Sequence, residues 1–189
     1  MRLFAAVDLS RETRDAMAAE QTRFAATLGA SAASLKWVRP GGAHLTLVFL
    51  GNVDAARFPP IVEALSKDVD ASPFGIVFSG AGVFPPRGAP RVLWTGISAG
   101  VDELRGLRRE LAARVSAHGI VLDTRDFHPH LTLGRWSSSR PSDRARVLAA
   151  TRPDALAREY VTRVTLFESR LSSAGPAYTS LAHANLIRR

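Results

Sequence analysis

The sequence predicts an α+β protein of two pseudo-symmetric lobes, each an antiparallel sheet with helices on its outer face and a central cleft between them. Three observations carry this reading. The tetrapeptide His44-Leu45-Thr46-Leu47 recurs as His130-Leu131-Thr132-Leu133. Each copy lies in an apolar run whose alternation is that of a β-strand, so His and Thr of one copy share a face. The order strand, helix, His strand, helix, strands is followed by helix, His strand, helix, strands, an imperfect internal duplication within a single domain over residues 1–189.

Residues 2–8 predict a short strand. Ser10 caps a helix to about Leu28, with Leu9 placed to staple it. Met17 and Phe24, seven apart, are its large apolar side chains. Lys36-Trp37-Val38 is extended and stops at the turn signal Arg39-Pro40-Gly41-Gly42. Ala43 to Leu50 is the first His strand, closed by Gly51-Asn52. A helix follows over about 58–69, its prolines tolerated near the start. Strands at 74–83 and 91–97 form a hairpin across an irregular connection rich in proline. Asp102 to His118 is a helix with Leu104, Leu107, Leu111 and Val115 at helical spacing and Gly119 as its C-cap. Each leucine there contributes roughly 1.5–3 kcal/mol if fully buried. The second His strand begins at His130, followed by a helix over 142–150 and two closing strands at 160–168 and 177–187. A parallel nucleotide-binding sheet would need a glycine-rich loop after the first strand, and Val7-Asp8-Leu9-Ser10 has no glycine.

Composition narrows the chemistry. Apolar residues make up 46% of the chain, enough for a core. The absence of cysteine excludes disulfides, thiolate catalysis and cysteine-ligated metal centres. No run approaches a membrane-spanning length, and the start turns polar too soon for a signal peptide, which points to a cytoplasmic protein with no membrane partner. The net charge of +8 is carried almost wholly by arginine, which suits a polyanion and bidentate contact with phosphate.

Two imidazoles on matched strands supply a general base and a general acid, because neutral and protonated forms coexist near the intrinsic value of about 6.5. That pair suits in-line displacement at a phosphodiester and calls for no metal or cofactor. His44 and His130 are therefore the catalytic candidates. Thr46 and Thr132, two residues on, are placed to donate to a phosphate oxygen. Arg135 is a phosphate clamp only if the strand bulges near Gly134, since strict alternation puts it on the opposite face. His128 is a candidate for orienting its neighbour. Trp37, Phe84 and Trp136 are candidates for stacking on a base; Arg39, Arg87 and Arg125 could steer an anion. His118 suits a helix C-terminus and His183 a structural position. A metal site gathering His44, His128, His130 and His183 is the rival use, but their spacing matches no compact ligand motif.

The residues Lys36-Trp37-Val38, His44 to Leu47 running into Phe49-Leu50-Gly51, Pro90-Arg91-Val92-Leu93-Trp94, Phe127 to Leu133 with Arg135, and Leu166 to Leu171 leading to Gly175-Pro176-Ala177-Tyr178 resemble the two-histidine (2H) phosphoesterase superfamily. The likeness is to its RNA 2′,3′-cyclic phosphodiesterases, also called 2′-5′ RNA ligases, and runs over nearly the whole chain in family order. It implies a bilobal fold that opens the 2′,3′-cyclic phosphate of an RNA end or small nucleotide to a 2′-phosphate, without metal or obligate protein partner. It further implies that His44 protonates the departing 3′ oxygen and His130 activates water, although the reverse assignment suits the sequence equally. Reversal with a 5′-hydroxyl in place of water implies 2′,5′ ligation. The competing readings are a related phosphodiesterase for a small cyclic-phosphate or 2′,5′-linked nucleotide, and a noncatalytic RNA-binding module.

Overall fold

The computed structural model describes residues 1–123, 125–172 and 175–188. Nine strands and four α-helices follow one another among them: β1 (Arg2–Asp8), α1 (Arg11–Leu28), β2 (Leu35–Trp37), β3 (His44–Asn52), α2 (Phe58–Ser66), β4 (Phe74–Phe84), β5 (Val92–Ala99), α3 (Val101–Ser116), β6 (Leu131–Trp136), α4 (Pro141–Ala150), β7 (Ala155–Val161), β8 (Arg163–Ser172) and β9 (Gly175–Asn185).

The strands form two sheets. One has the order β3-β1-β8-β9 and the other β2-β6-β5-β4-β7. Every adjacent pair is antiparallel. The lobes correspond as expected, but they are not successive halves of the chain. Both ends of the sequence build the sheet that carries His44, while the middle, with β2 added at one edge, builds the sheet behind His130. The helices cross over as well. α1 follows a strand of the first sheet yet packs with α4 on the second, and α3 follows a strand of the second yet packs with α2 on the first. These exchanges tie the lobes into one continuous buried cluster.

Local sequence accounts for most elements. Ser10 caps α1 by accepting from the Thr13 backbone N–H at 3.2 Å. Met17, Phe24 and Leu28 are buried on its inner stripe, and Leu104, Leu107, Leu111 and Val115 are buried on that of α3. Gln21 sits among the α1 apolar positions and is also buried. Its Nε2 donates to the carbonyls of Val38 and Leu133, both at 2.8 Å, joining α1 to the end of β2 and the middle of β6.

Four expectations need correction. α2 stops at Ser66, because Val69 leaves the helix to exchange backbone bonds with the chain around Leu186. α3 ends at Ser116; Gly119 lies beyond it, in the left-handed region at φ 75°. The closing segment holds three strands, because the chain leaves one sheet after Val161 and joins the other at Arg163. The second His strand starts at Leu131, with His130 just before its first residue.

Candidate active site

The two sheets turn one face each toward a shared cleft. Directly opposed residues of an antiparallel pair point the same way. The pairing Asp8↔His44 and Ala6↔Thr46 therefore places Asp8, His44 and Thr46 on one face of the first sheet. On β9, Tyr178 pairs with Ser169 and His183 with Thr165 of the adjoining strand, and both belong to that face. On the second sheet Trp94↔Thr132 and Val92↔Arg135 share the cleft face.

Arg135 reaches this face because β6 bulges. Trp94 opposes Thr132 and Leu93 opposes Gly134, which leaves Leu133 as an extra residue and reverses the alternation beyond it. The Leu133 carbonyl is fixed by the Val38 N–H at 3.0 Å as well as by Gln21. Gly134 suits the spot, since a Cβ there would lie 3.1 Å from Leu35 side-chain carbons and 3.2 Å from the Lys36 carbonyl. The same reversal turns Trp136 into the core, where it is 7% exposed and donates from Nε1 to the Ser31 carbonyl. Trp136 is thus no stacking platform.

The histidines are held alike. His44 Nδ1 lies 2.8 Å from the Gly42 carbonyl, and His130 Nδ1 lies 2.7 Å from the His128 carbonyl. A carbonyl only accepts, so Nδ1 carries hydrogen in both and Nε2 is the nitrogen left for proton transfer. His128 thus orients its neighbour through its backbone, while its own imidazole packs 4.7 Å from the Trp94 ring. Phe4 and Tyr178 pack against His44 at 4.5 and 4.9 Å between centroids. Phe84 and Trp94 do so against His130 at 5.0 and 6.1 Å.

Burial pushes both imidazoles below the ordinary value of 6.5. At His44 the Gly42 carbonyl and the Asp8 carboxylate oppose that shift, and Arg135 adds to it. At His130 the His128 carbonyl opposes it, whereas the charges of His128 and Arg135 both deepen it. Burial pushes the Tyr178 phenol up against the influence of Arg135 and Arg2. Arg135 therefore acts on His44, His130 and Tyr178 together.

His44, Thr46, His130, Thr132, Arg135 and Tyr178 line one cleft of about 460 Å³ together with Lys36, Trp37, Val38 and Arg39. That volume suits a small organic ligand. A larger hollow of about 1060 Å³ lies elsewhere, between the segment after α2 and α3, and includes His118 but neither His-Thr pair. Of the remaining sequence candidates, Trp37 and Arg39 border the cleft and Phe84 flanks His130. Arg125 is held by Asp123, and Arg87 is exposed in the β4–β5 connection. His183 is bound to Thr165. Among the described residues no cluster of His, Asp and Glu is placed to hold a metal ion, and no helix is long and apolar enough to cross a membrane.

The sequence does not single out Asp8, Gln21, Trp94 or Tyr178 as site residues. Gln21 has a signal, a polar residue on a helical stripe with Met17, Phe24 and Leu28. Asp8 and Tyr178 share strand parity with Phe4 and Ser180 respectively, but parity does not tell which face meets the cleft.

Two antiparallel sheets that each offer a His-x-Thr strand to one cleft define a two-histidine phosphoesterase architecture. Residues 12–172 match the model of the 2′-5′ RNA ligase superfamily, and the chain belongs to that superfamily. An RNA 2′,3′-cyclic phosphodiesterase of Aquifex aeolicus is 35% identical over 146 residues, covering 76% of this chain and 78% of its own. One of Archaeoglobus fulgidus is 33% identical over 181 residues, covering 96% and 98%. Among solved structures, TT0787 of Thermus thermophilus superposes with a TM-score of 0.80 at 30% identity, covering 100% and 98%. E. coli LigT complexed with 3′-AMP gives 0.77 at 26% identity, covering 98% and 97%.

Proposed function

We propose that this chain hydrolyses the 2′,3′-cyclic phosphate of an RNA end or nucleoside to a 2′-phosphate by acid–base catalysis between His44 and His130. The observation that carries the reading is the matched pair itself: two imidazoles with Nδ1 tied to a carbonyl, facing one cleft with Thr46, Thr132 and Arg135. Relatives named for this activity support it.

In the reaction His130 Nε2 takes a proton from water, whose oxygen forms a new bond to phosphorus. The P–O3′ bond opposite breaks, and His44 delivers its Nε2 proton to O3′. The products are a 2′-phosphomonoester and a free 3′-hydroxyl, and proton exchange with solvent resets both imidazoles. Arg135, Thr46 and Thr132 meet the charge that gathers on the non-bridging oxygens. Asp8 favours His44 as the acid, because its charge stabilises the imidazolium, whereas the charges on His130 favour the neutral base. A 5′-hydroxyl taking the place of water yields a 2′,5′ linkage, and a base stacks on Trp37, which borders the cleft.

The test is turnover of a short RNA with a 2′,3′-cyclic phosphate end in EDTA, with identification of the product isomer. A 2′-phosphate product from the parent, and losses of about 10²–10⁴ in folded His44→Ala and His130→Ala proteins, are expected. A 3′-phosphate product, or retention of activity in either variant, would overturn the mechanism.

A further inference from the structure

The bulge that brings Arg135 to the cleft has a counterpart in the other lobe. Along β3, Ala6 opposes Thr46 and Ala5 opposes Val48, so Leu47 is the extra residue. Phe49 therefore emerges on the face of His44 and Thr46, three residues after Thr46, as Arg135 emerges three residues after Thr132. The two lobes place different chemistry at this matched position. The His130 lobe has a guanidinium, and the His44 lobe has an aromatic ring that is 48% exposed.

Phe49 also has a cation beside it. The Arg2 guanidinium carbon lies 5.0 Å from the ring centroid, on the adjoining strand. Arg2 and Arg135 are among several arginines that, within the described residues, have no carboxylate at ion-pair distance. Tyr178, which lines the cleft with Arg135, feels the charge of Arg2 as well as that of Arg135. An unneutralised guanidinium over an exposed ring offers donors to a phosphate and leaves ring surface for a base.

We propose that Arg2 and Phe49 form a subsite for the RNA nucleotide on the 5′ side of the residue bearing the cyclic phosphate. Its base stacks on Phe49, and the phosphate joining it to the terminal residue contacts Arg2. The subsite rests on the hydrolytic reading above and adds a preference for a polynucleotide over a single nucleotide.

The test compares a nucleoside 2′,3′-cyclic phosphate with di- and trinucleotides bearing the same end, using the parent, Phe49→Ala and Arg2→Ala. The parent is expected to show higher kcat/KM on the dinucleotide than on the mononucleotide. Each variant loses about tenfold on the oligonucleotides, chiefly through KM, and keeps the mononucleotide rate. Equal activity of parent and variants on every substrate overturns the subsite, as does an equal loss on the mononucleotide, which marks a structural role. If the parent turns over none of the substrates, the hydrolytic reading fails and the subsite with it.

Discussion

Asp8 stands directly opposite His44 across the β1–β3 pair, and the buried Thr165 hydroxyl donates to its carboxylate at 2.5 Å. Thr165 in turn accepts from His183 Nδ1 at 2.8 Å, and His183 Nε2 is 3.2 Å from the Ser180 hydroxyl. The carboxylate is thus fixed beside the His44 imidazole.

This asymmetry has a pH signature. Both imidazoles titrate below 6.5 in the free protein, so kcat/KM is expected to peak on the acid side of that value. Replacing Asp8 by Asn removes a negative charge that favours the His44 imidazolium. The limb set by His44 then moves to lower pH, and the limb set by His130 stays. Movement of the other limb would reverse the roles of the two histidines.

Arg135 acts on both imidazoles with the opposite sign. In Arg135→Ala both should bind protons more readily, and the profile should move to higher pH. Loss of a charge-assisted contact worth about 1.5–3 kcal/mol should also lower kcat/KM by roughly 10- to 100-fold. Arg135→Lys keeps the charge and loses the planar fork, so the rate should fall with little displacement of the profile. A profile unmoved by Arg135→Ala would contradict the placement of its charge.

Gln21 is far from Arg135 in sequence but bonded to the bulge that aims it. Gln21→Leu leaves the Val38 carbonyl short of a donor and frees the Leu133 carbonyl on one side. The expected cost is about 1–3 kcal/mol in denaturant unfolding. Activity measured well below the transition should fall too, because the β6 bulge is less firmly held. A destabilised protein of undiminished kcat/KM would show that the bulge needs no help from α1.

Trp94 lies against Gly82 so closely that a Cβ there would sit 2.3 Å from the indole. Gly82→Ala must therefore displace the ring that packs on His128 and flanks His130. Overpacking of this kind costs about 1–3 kcal/mol. Tryptophan fluorescence should shift and kcat should fall; an unchanged spectrum and rate would refute the contact.

The parts of this protein that are legible in the sequence are those governed by neighbours along the chain. The stripe Leu104, Leu107, Leu111 and Val115, the Ser10 cap, and the His-Thr spacing each follow from local geometry, and each stands where expected. What is not legible depends on a partner strand. Alternation counted from His130 sends Trp136 to the cleft and Arg135 away from it. One unpaired residue, Leu133, exchanges the two, and that residue is defined only by its pairing with β5. β7 and β8 read as one strand because their separation is a change of sheet, with only Thr162 between them. Asp8 reads as the end of a strand until the opposite strand places His44 beside it.

The way β8 closes onto β1 bears on how the molecule comes into being. When His44 and its strand have left the ribosome, the far edge of β1 still has no neighbour, and Asp8 still lacks Thr165. The middle of the chain can complete its own sheet first, bringing His130, Thr132 and Arg135 into register. Pairing across most of the sequence is slow, and until it happens the growing polypeptide holds one finished wall and one open one. On the proposed mechanism a partly made copy would carry its base and phosphate clamp without a secured acid, and would stay idle until β8 and β9 are laid down.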